Sequence, residues 1–293
     1  MKNIVKTTIL FRIDETNKLE NLYRNNQIEF SCAANWIDYA NKQQNNTIGD
    51  LFECVFAHLR FNDDCLRNFK DARGNLMKNN LFVLIDRNDN SCYLRYVPTI
   101  LTPTICFYSL SLNNLIENNN GSTQFRVDLN RYCNQFGLNI NKTSIIIILN
   151  PTLFIDELNK HIPQQVVGNK NLTDENYYTK FDVDNPIKAG LIDYNKHNHT
   201  QFFNDNNNYG SEMFWKDSQY SWQNECRICF QNMNFTQRYS LNGEYQYEKN
   251  TLKIFLPNLK EYSKILKIKD INNFYVYKDE KNEKYSSIRL QLN

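Results

Sequence analysis

Apolar and polar positions follow the clearest pattern near the start of the chain. Thr8 to Ile13 (TILFRI) reads as a β-strand, and Asp14 to Thr16 can start a helix directly behind it. Leu19, Leu22 and Tyr23 then recur at helical spacing, and Asn25-Asn26 marks the turn that ends this helix. Gln27 to Cys32 returns as a strand, with Ile28 and Phe30 on one face and Glu29 and Ser31 on the other. Beyond a polar loop, Asp50 as N-cap with Glu53 three residues on matches a capping box. The pattern predicts a helix burying Leu51, Phe52, Val55, Phe56 and Leu59.

Strand patterns dominate the middle of the chain. Leu81 to Ile85 and Tyr93 to Tyr96 bracket an Asn-Asp-Asn turn, and Thr104 to Leu112 and Gln124 to Leu129 read as further strands. Ile145 to Leu149 has no polar alternation, which predicts a central strand buried on both faces. A short helix is expected over Pro151 to His161, and residues 169–210 read as a long polar excursion carrying substrate contacts or disorder. Two strand-like stretches bracket Asn242-Gly243, and the tail reads as a strand, a helix over Asn258 to Leu266 and a final hairpin. No internal repeat and no linker cuts the chain. The expectation is one α+β domain over 1–293 with a mixed or antiparallel central sheet, divided into a core (1–240) and a C-terminal extension (241–293).

Composition changes this picture little. The 293 residues are 41% hydrophobic and 14% aromatic, enough to build a core, and the formal charge is only +2. Such a balance gives no general drive toward nucleic acid or anionic membrane. Lys260, Lys264 and Lys267 make one basic helical stripe, but Glu261 and Asp270 dilute it, and a solvated face is the plainer reading. No apolar run reaches the ~20 residues of a spanning helix, and no signal-peptide pattern forms at the N-terminus, so a cytoplasmic location is expected. Asn accounts for 47 residues against eight Gly and six Pro, and it gathers where turns should be, since it tolerates left-handed backbone.

Several familiar chemistries are absent. There is no Gly-rich phosphate loop and no Gly-x-Ser-x-Gly elbow, which removes the Rossmann, P-loop and hydrolase readings. The eight cysteines are irregularly spaced and expected to stay reduced. Cys226 and Cys229 form a lone C-x-x-C on what looks like a strand, where residues three apart face opposite sides, and His197-Asn-His199 lacks a third ligand. No metal is expected.

Three stretches carry candidate chemistry. In the segment Lys216 to Phe230, a strand would put Gln223, Glu225, Arg227 and Cys229 on one face and Trp222, Cys226, Ile228 and Phe230 on the other. An amide, a carboxylate and a guanidinium in a row either line a cleft or meet solvent, where a Glu225–Arg227 pair would contribute little. Ser109 and Ser111 share a face of the strand at Thr104 to Leu112, either as simple edge residues or as groups orienting a ribose or phosphate. Arg12 stands inside an otherwise apolar strand and needs a carboxylate or an anionic ligand, unless it snorkels from a sheet edge.

The order of these elements resembles the Arg–Ser–Glu class of ADP-ribosyltransferases: Arg12 in the first strand, Ser31 ending the second, Ser109 and Ser111 in a hydroxyl-bearing strand, and Gln223-x-Glu225 late in the chain. Phe30-Ser31-Cys32, Asp50-x-x-Glu53, Cys106-Phe107-x-Ser109 and Trp222-x-x-Glu225-x-Arg227 are also similar to uncharacterised bacterial proteins associated with abortive infection and phage defence. The resemblance covers about residues 8–230. It implies a split-sheet ADP-ribosyltransferase fold and an enzyme that consumes NAD as transferase or glycohydrolase, acting as an anti-phage toxin. Glu225 and Gln223 would be catalytic, and Arg12, Ser31, Ser109, Ser111 and Arg227 would hold NAD. Glu53 would be a cap or lie near the cleft. The acceptor would be a protein, nucleic acid, nucleotide or water, with a regulatory partner or a second copy of the chain as possible associates and no membrane. The competing expectation is a catalytically silent protein that senses a nucleotide or a phage component in the same cleft.

Overall fold

The strand Thr143–Ile148, which carries the apolar run of four isoleucines, is wholly buried because it is covered from both sides. Ile146 and Ile148 belong to a larger core cluster on one face, and Ile145 and Ile147 to a smaller one on the other. The computed structural model describes residues 7–37, 54–60, 82–86, 91–111, 115–117, 123–125, 129–173, 181–194, 211–216, 218–236, 250–268, 275–278 and 288–291. Within them the chain is a mixed α/β fold whose strand ladders are antiparallel.

Eight strands frame the site. In chain order they are β1 (Thr7–Glu15), β2 (Gln27–Phe30), β3 (Thr104–Ser111), β4 (Thr143–Ile148), β5 (Ile187–Leu191), β6 (Glu225–Phe230), β7 (Leu252–Phe255) and β8 (Ser263–Lys267). Six of them form the main sheet in the order β5-β6-β3-β1-β4-β8, while β2 and β7 pair separately. The helices include α1 (Thr16–Arg24), α2 (Val97–Leu101), α3 (Leu129–Gln135), α4 (Pro151–Val166) and α5 (Leu259–Tyr262), and residues 33–37 are helical as well. In α4, the Asn150 side chain accepts from the Leu153 amide at 3.0 Å and Pro151 occupies the first turn. Phe154, Leu158, Ile162 and Val166 then bury one stripe of α4 in the larger cluster. Tyr132 and Cys133 of α3 pack in the smaller cluster with Phe11 and Ile147.

Local expectations hold over the first thirty residues. Leu19 and Leu22 of α1 are buried, Ile28 and Phe30 of β2 are buried, and Asn26 turns the chain at φ 54°. The strands Phe82–Asp86 and Ser91–Tyr96 pair antiparallel, as do Tyr275–Lys278 and Ile288–Gln291 in the tail. Two helices read from the sequence need correction. Val55–Arg60 is a strand paired with Ser91–Tyr96, while Asp50 and Glu53 lie outside the described residues. Asn258 to Leu266 is helical only over Leu259–Tyr262, because Ser263–Lys267 joins the main sheet beside β4. In the stretch Gln124 to Leu129, a strand covers Thr123–Phe125, residues 126–128 lie outside the described residues, and Leu129 begins α3.

One departure from regular pairing positions the site. β1 pairs with β3 from Thr7–Ser111 to Phe11–Tyr108, and there the recorded register ends. From that point β1 continues beside β4 alone, and the first half of β3 runs beside β6. The sheet therefore forks between Arg12–Glu15 and Thr104–Phe107. Across the mouth, Ser31 and Thr104 exchange backbone hydrogen bonds of 2.9 and 2.6 Å, which ties the end of β2 to the start of β3.

Candidate functional site

A cavity of about 300 Å³ occupies the fork, at the lower end of the range for small-molecule sites. Because the two strands have parted, residues from both faces of the sheet reach it. Arg12 and Asp14 come from β1, Ser31 from the end of β2, and Cys106 and Tyr108 from β3. Gln223, Glu225 and Arg227 close it from β6 and the turn before β6, and Lys216 joins them.

Gln223 reaches the wall by a different route from the one its sequence suggests. Ser218–Gln223 is a 3-10 helix rather than strand, and Asn224 at φ 44° redirects the chain into β6. Both Gln223 and Glu225 thereby meet the cavity. Arg227 follows on the same strand face, in register with Cys106, as Glu225 is with Tyr108. The opposite face, with Cys226, Ile228 and Phe230, packs into the larger core, as the alternation predicts; Trp222 instead packs on the smaller cluster.

The row of polar side chains is buried. Glu225 is 5% exposed and Arg227 0%. Arg227 Nε donates to Glu225 Oε1 at 2.6 Å, and Lys216 Nζ donates to Glu225 Oε2 and Gln223 Oε1, each at 2.9 Å. Arg227 also donates to the Met213 carbonyl at 2.7 Å and lies 5.4 Å from the Trp36 ring, while Lys216 lies over Tyr220. The Glu225 backbone amide donates to Tyr194 Oη at 2.8 Å. Burial alone would raise the Glu225 carboxyl, but the Arg227 and Lys216 charges outweigh it and hold the group well below the usual carboxylate range. The Cys106 thiol also hydrogen-bonds this carboxylate. Of its roughly four acceptor positions, three are thus taken.

Arg12 finds its carboxylate within the chain. It donates to Asp14 Oδ2 and to the Glu29 carbonyl, both at 3.1 Å, and Lys18 bridges Asp14 and Glu29 at 3.1 and 3.0 Å. Burial pushes the Asp14 carboxyl up, but Arg12 and Lys18 prevail and leave it lowered. Ser31 Oγ accepts from the Asn35 side chain at 2.9 Å. Counting the lining side chains, three cations (Arg12, Lys216, Arg227) face two carboxylates (Asp14, Glu225), so the cavity favours an anionic occupant.

Five of the seven residues singled out in the sequence therefore converge: Arg12, Ser31, Gln223, Glu225 and Arg227. Ser109 does not line the cavity. It is buried in register with Leu10 on the other face, and its amide donates to the Asn224 carbonyl at 2.8 Å. Ser111 pairs through its backbone with Thr7, and its side chain lies outside the described residues. The lining residues of β3 are instead its neighbours, including Cys106 and Tyr108. Sequence reasoning passed over Lys216, although it opens the same polar segment, because no strand periodicity connects it to Glu225. His197 and His199 lie outside the described residues, and among the described ones no cluster of three or more ligating side chains is placed to hold a metal. Nor is any described helix long and apolar enough to cross a membrane.

Comparisons with protein-family models, with curated proteins and with solved structures return no match.

Proposed function

We propose that the fork cleft binds a nucleotide of the NAD class and that the protein acts on it as an ADP-ribosyltransferase or NAD glycohydrolase, serving as a toxin-like effector of anti-phage defence. The observation that carries the binding reading is the convergence of Arg12, Ser31, Gln223, Glu225 and Arg227 on one cavity at a split in the sheet. These residues come from stretches of chain some two hundred positions apart. The defence role rests on the sequence resemblance alone.

The chemistry is heterolysis of the nicotinamide–ribose bond. The electron pair leaves with the nicotinamide nitrogen, positive charge develops on the sugar, and the incoming nucleophile gives up a proton as its bond to the sugar carbon forms. Glu225, held ionised, has one acceptor position left for a ribose hydroxyl and is the group that would stabilise this charge. Arg12 and the net positive lining would hold the phosphates, so that binding far from the reacting bond positions it.

One observation favours the second reading, a nucleotide-binding protein without turnover. Both Glu225 oxygens already face cations within 3 Å, and a carboxylate so countered stabilises a developing cation less than a lone one does. The test measures nicotinamide release from NAD, with and without cell lysate, alongside calorimetric NAD binding, for wild type and Glu225→Gln at matched folded fraction. Release that Glu225→Gln abolishes supports the enzyme. Binding without release supports the sensor. Absence of both overturns the NAD reading.

A further inference from the structure

The cavity wall contains a polar group that the protein leaves unsatisfied. Gln223 is 2% exposed, and its Nε2 has no hydrogen-bond partner. Buried side-chain amides rarely stay in that condition, because an unpaired donor forfeits its hydration.

The orientation of this amide is chemically forced. An ammonium group can only donate, so at 2.9 Å from Lys216 Nζ the Gln223 atom must be the oxygen. Turning the amide over would set donor against donor. Lys216 is itself fixed by Glu225 Oε2 at 2.9 Å and by the Tyr220 ring at 5.1 Å. A chain of buried contacts thus holds the amide nitrogen away from the lysine and without an acceptor of its own, in a side chain that lines the cavity.

We propose that Gln223 Nε2 donates to an oxygen acceptor on the occupant of the cleft, and that Lys216 is the positioning residue that keeps this donor presented. The inference rests on the reading of the cleft as a small-molecule site and names the chemistry its buried end recognises. The acceptor is a carboxamide carbonyl or a phosphate oxygen. A protonated donor group of the ligand at that position would meet the amide NH2 and be rejected, which gives Gln223 a role in selectivity.

Calorimetric titration with NAD, ADP-ribose and inorganic pyrophosphate tests this in wild type, Gln223→Met, Gln223→Glu, Lys216→Met and Lys216→Arg. Circular dichroism verifies that each variant is folded. Gln223→Glu secures this, since its carboxylate keeps the Lys216 contact as an ion pair while losing the donor. The expected result is a loss of roughly tenfold or more in affinity for both Gln223 variants, from one lost hydrogen bond to a polar group. Lys216→Met is expected to follow them, and Lys216→Arg, still donor-only, to stay near wild type. A rescue of that kind would not arise from a merely structural lysine. A loss confined to NAD identifies the carboxamide oxygen, and a loss shared by ADP-ribose and pyrophosphate identifies a phosphate oxygen; either supports the proposal. Gln223-dependent binding without NAD consumption supports it while removing the enzymatic reading. NAD turnover with unchanged KM in Gln223→Met overturns it and leaves the enzymatic reading standing. Failure of wild type to bind any of the three probes overturns both.

Discussion

Replacing Glu225 by Gln removes the carboxylate that the buried Lys216 and Arg227 share in the cleft. The shape is retained, but the amide offers an acceptor to one cation and turns a donor toward the other. Neutralising one member of a buried, hydrogen-bonded ion pair costs ~3–5 kcal/mol, because the partner charge stays desolvated. Total stability is on the order of 5–15 kcal/mol, so this is a large fraction of it. With an unfolding entropy of ~2.1 cal/mol/K per residue over 293 residues, the expected fall in Tm is about 5–8 °C at neutral pH. The sign with pH follows from the depressed carboxyl: its stabilisation is fully present above the unfolded-state value, ~4.3, and is lost as pH falls below that toward the folded value. Thermal melts of wild type and Glu225→Gln from pH 7 to pH 3 read both effects. The difference should close in acid, and a Lys216→Met/Glu225→Gln double variant should recover part of it at pH 7. Melting points within 1–2 °C of each other at pH 7, or a gap that stays constant into acid, would refute the buried-triad account.

Two further outcomes test the core. Phe154 is fully buried in α4, edge-on to Phe107 at 5.5 Å, so Phe154→Ala should cost ~3–5 kcal/mol in denaturant unfolding with the m-value unchanged. Burial pushes the Cys226 thiol up to about 12 and the Cys32 thiol up to about 11, so both should resist alkylation at pH 8 in the folded protein and react once it is unfolded. Mass spectrometry of labelled peptides reads this directly, and rapid native labelling of either thiol would contradict the packing.

Much of the fold was legible where the information is local. β1 reads as a strand from its apolar run, and α1 and β2 declare themselves by helical spacing, an Asn at the turn and alternation, with Leu19, Leu22, Ile28 and Phe30 buried as expected. The apolar run Ile145 to Leu149, too short for most helices and without polar alternation, reads as a strand covered on both sides, and the strand Thr143–Ile148 is buried throughout. The helix expected near Val55 failed because apolar positions at 55, 56 and 59 suit either period, and the distant strand Ser91–Tyr96 decided between them. The same competition shortened the helix at Asn258, where pairing with β4 overrode a good helical pattern from Ser263 onward.

The site divides in the same way. The alternation of Glu225 and Arg227, and the oddity of Arg12 in an apolar strand, were properties of the sequence alone, because side-chain direction within a strand follows from its period of two. What occupies the face they share was not. Only the tertiary structure brings β1 away from β3 at Phe11, opens the cavity there, sets Lys216 between Gln223 and Glu225, and leaves Ser109 on the far side. The physical reason is that strand pairing and the burial of charge are settled by partners distant in the chain. A residue's type and spacing state what it can bond, and the fold determines which bond remains to be made.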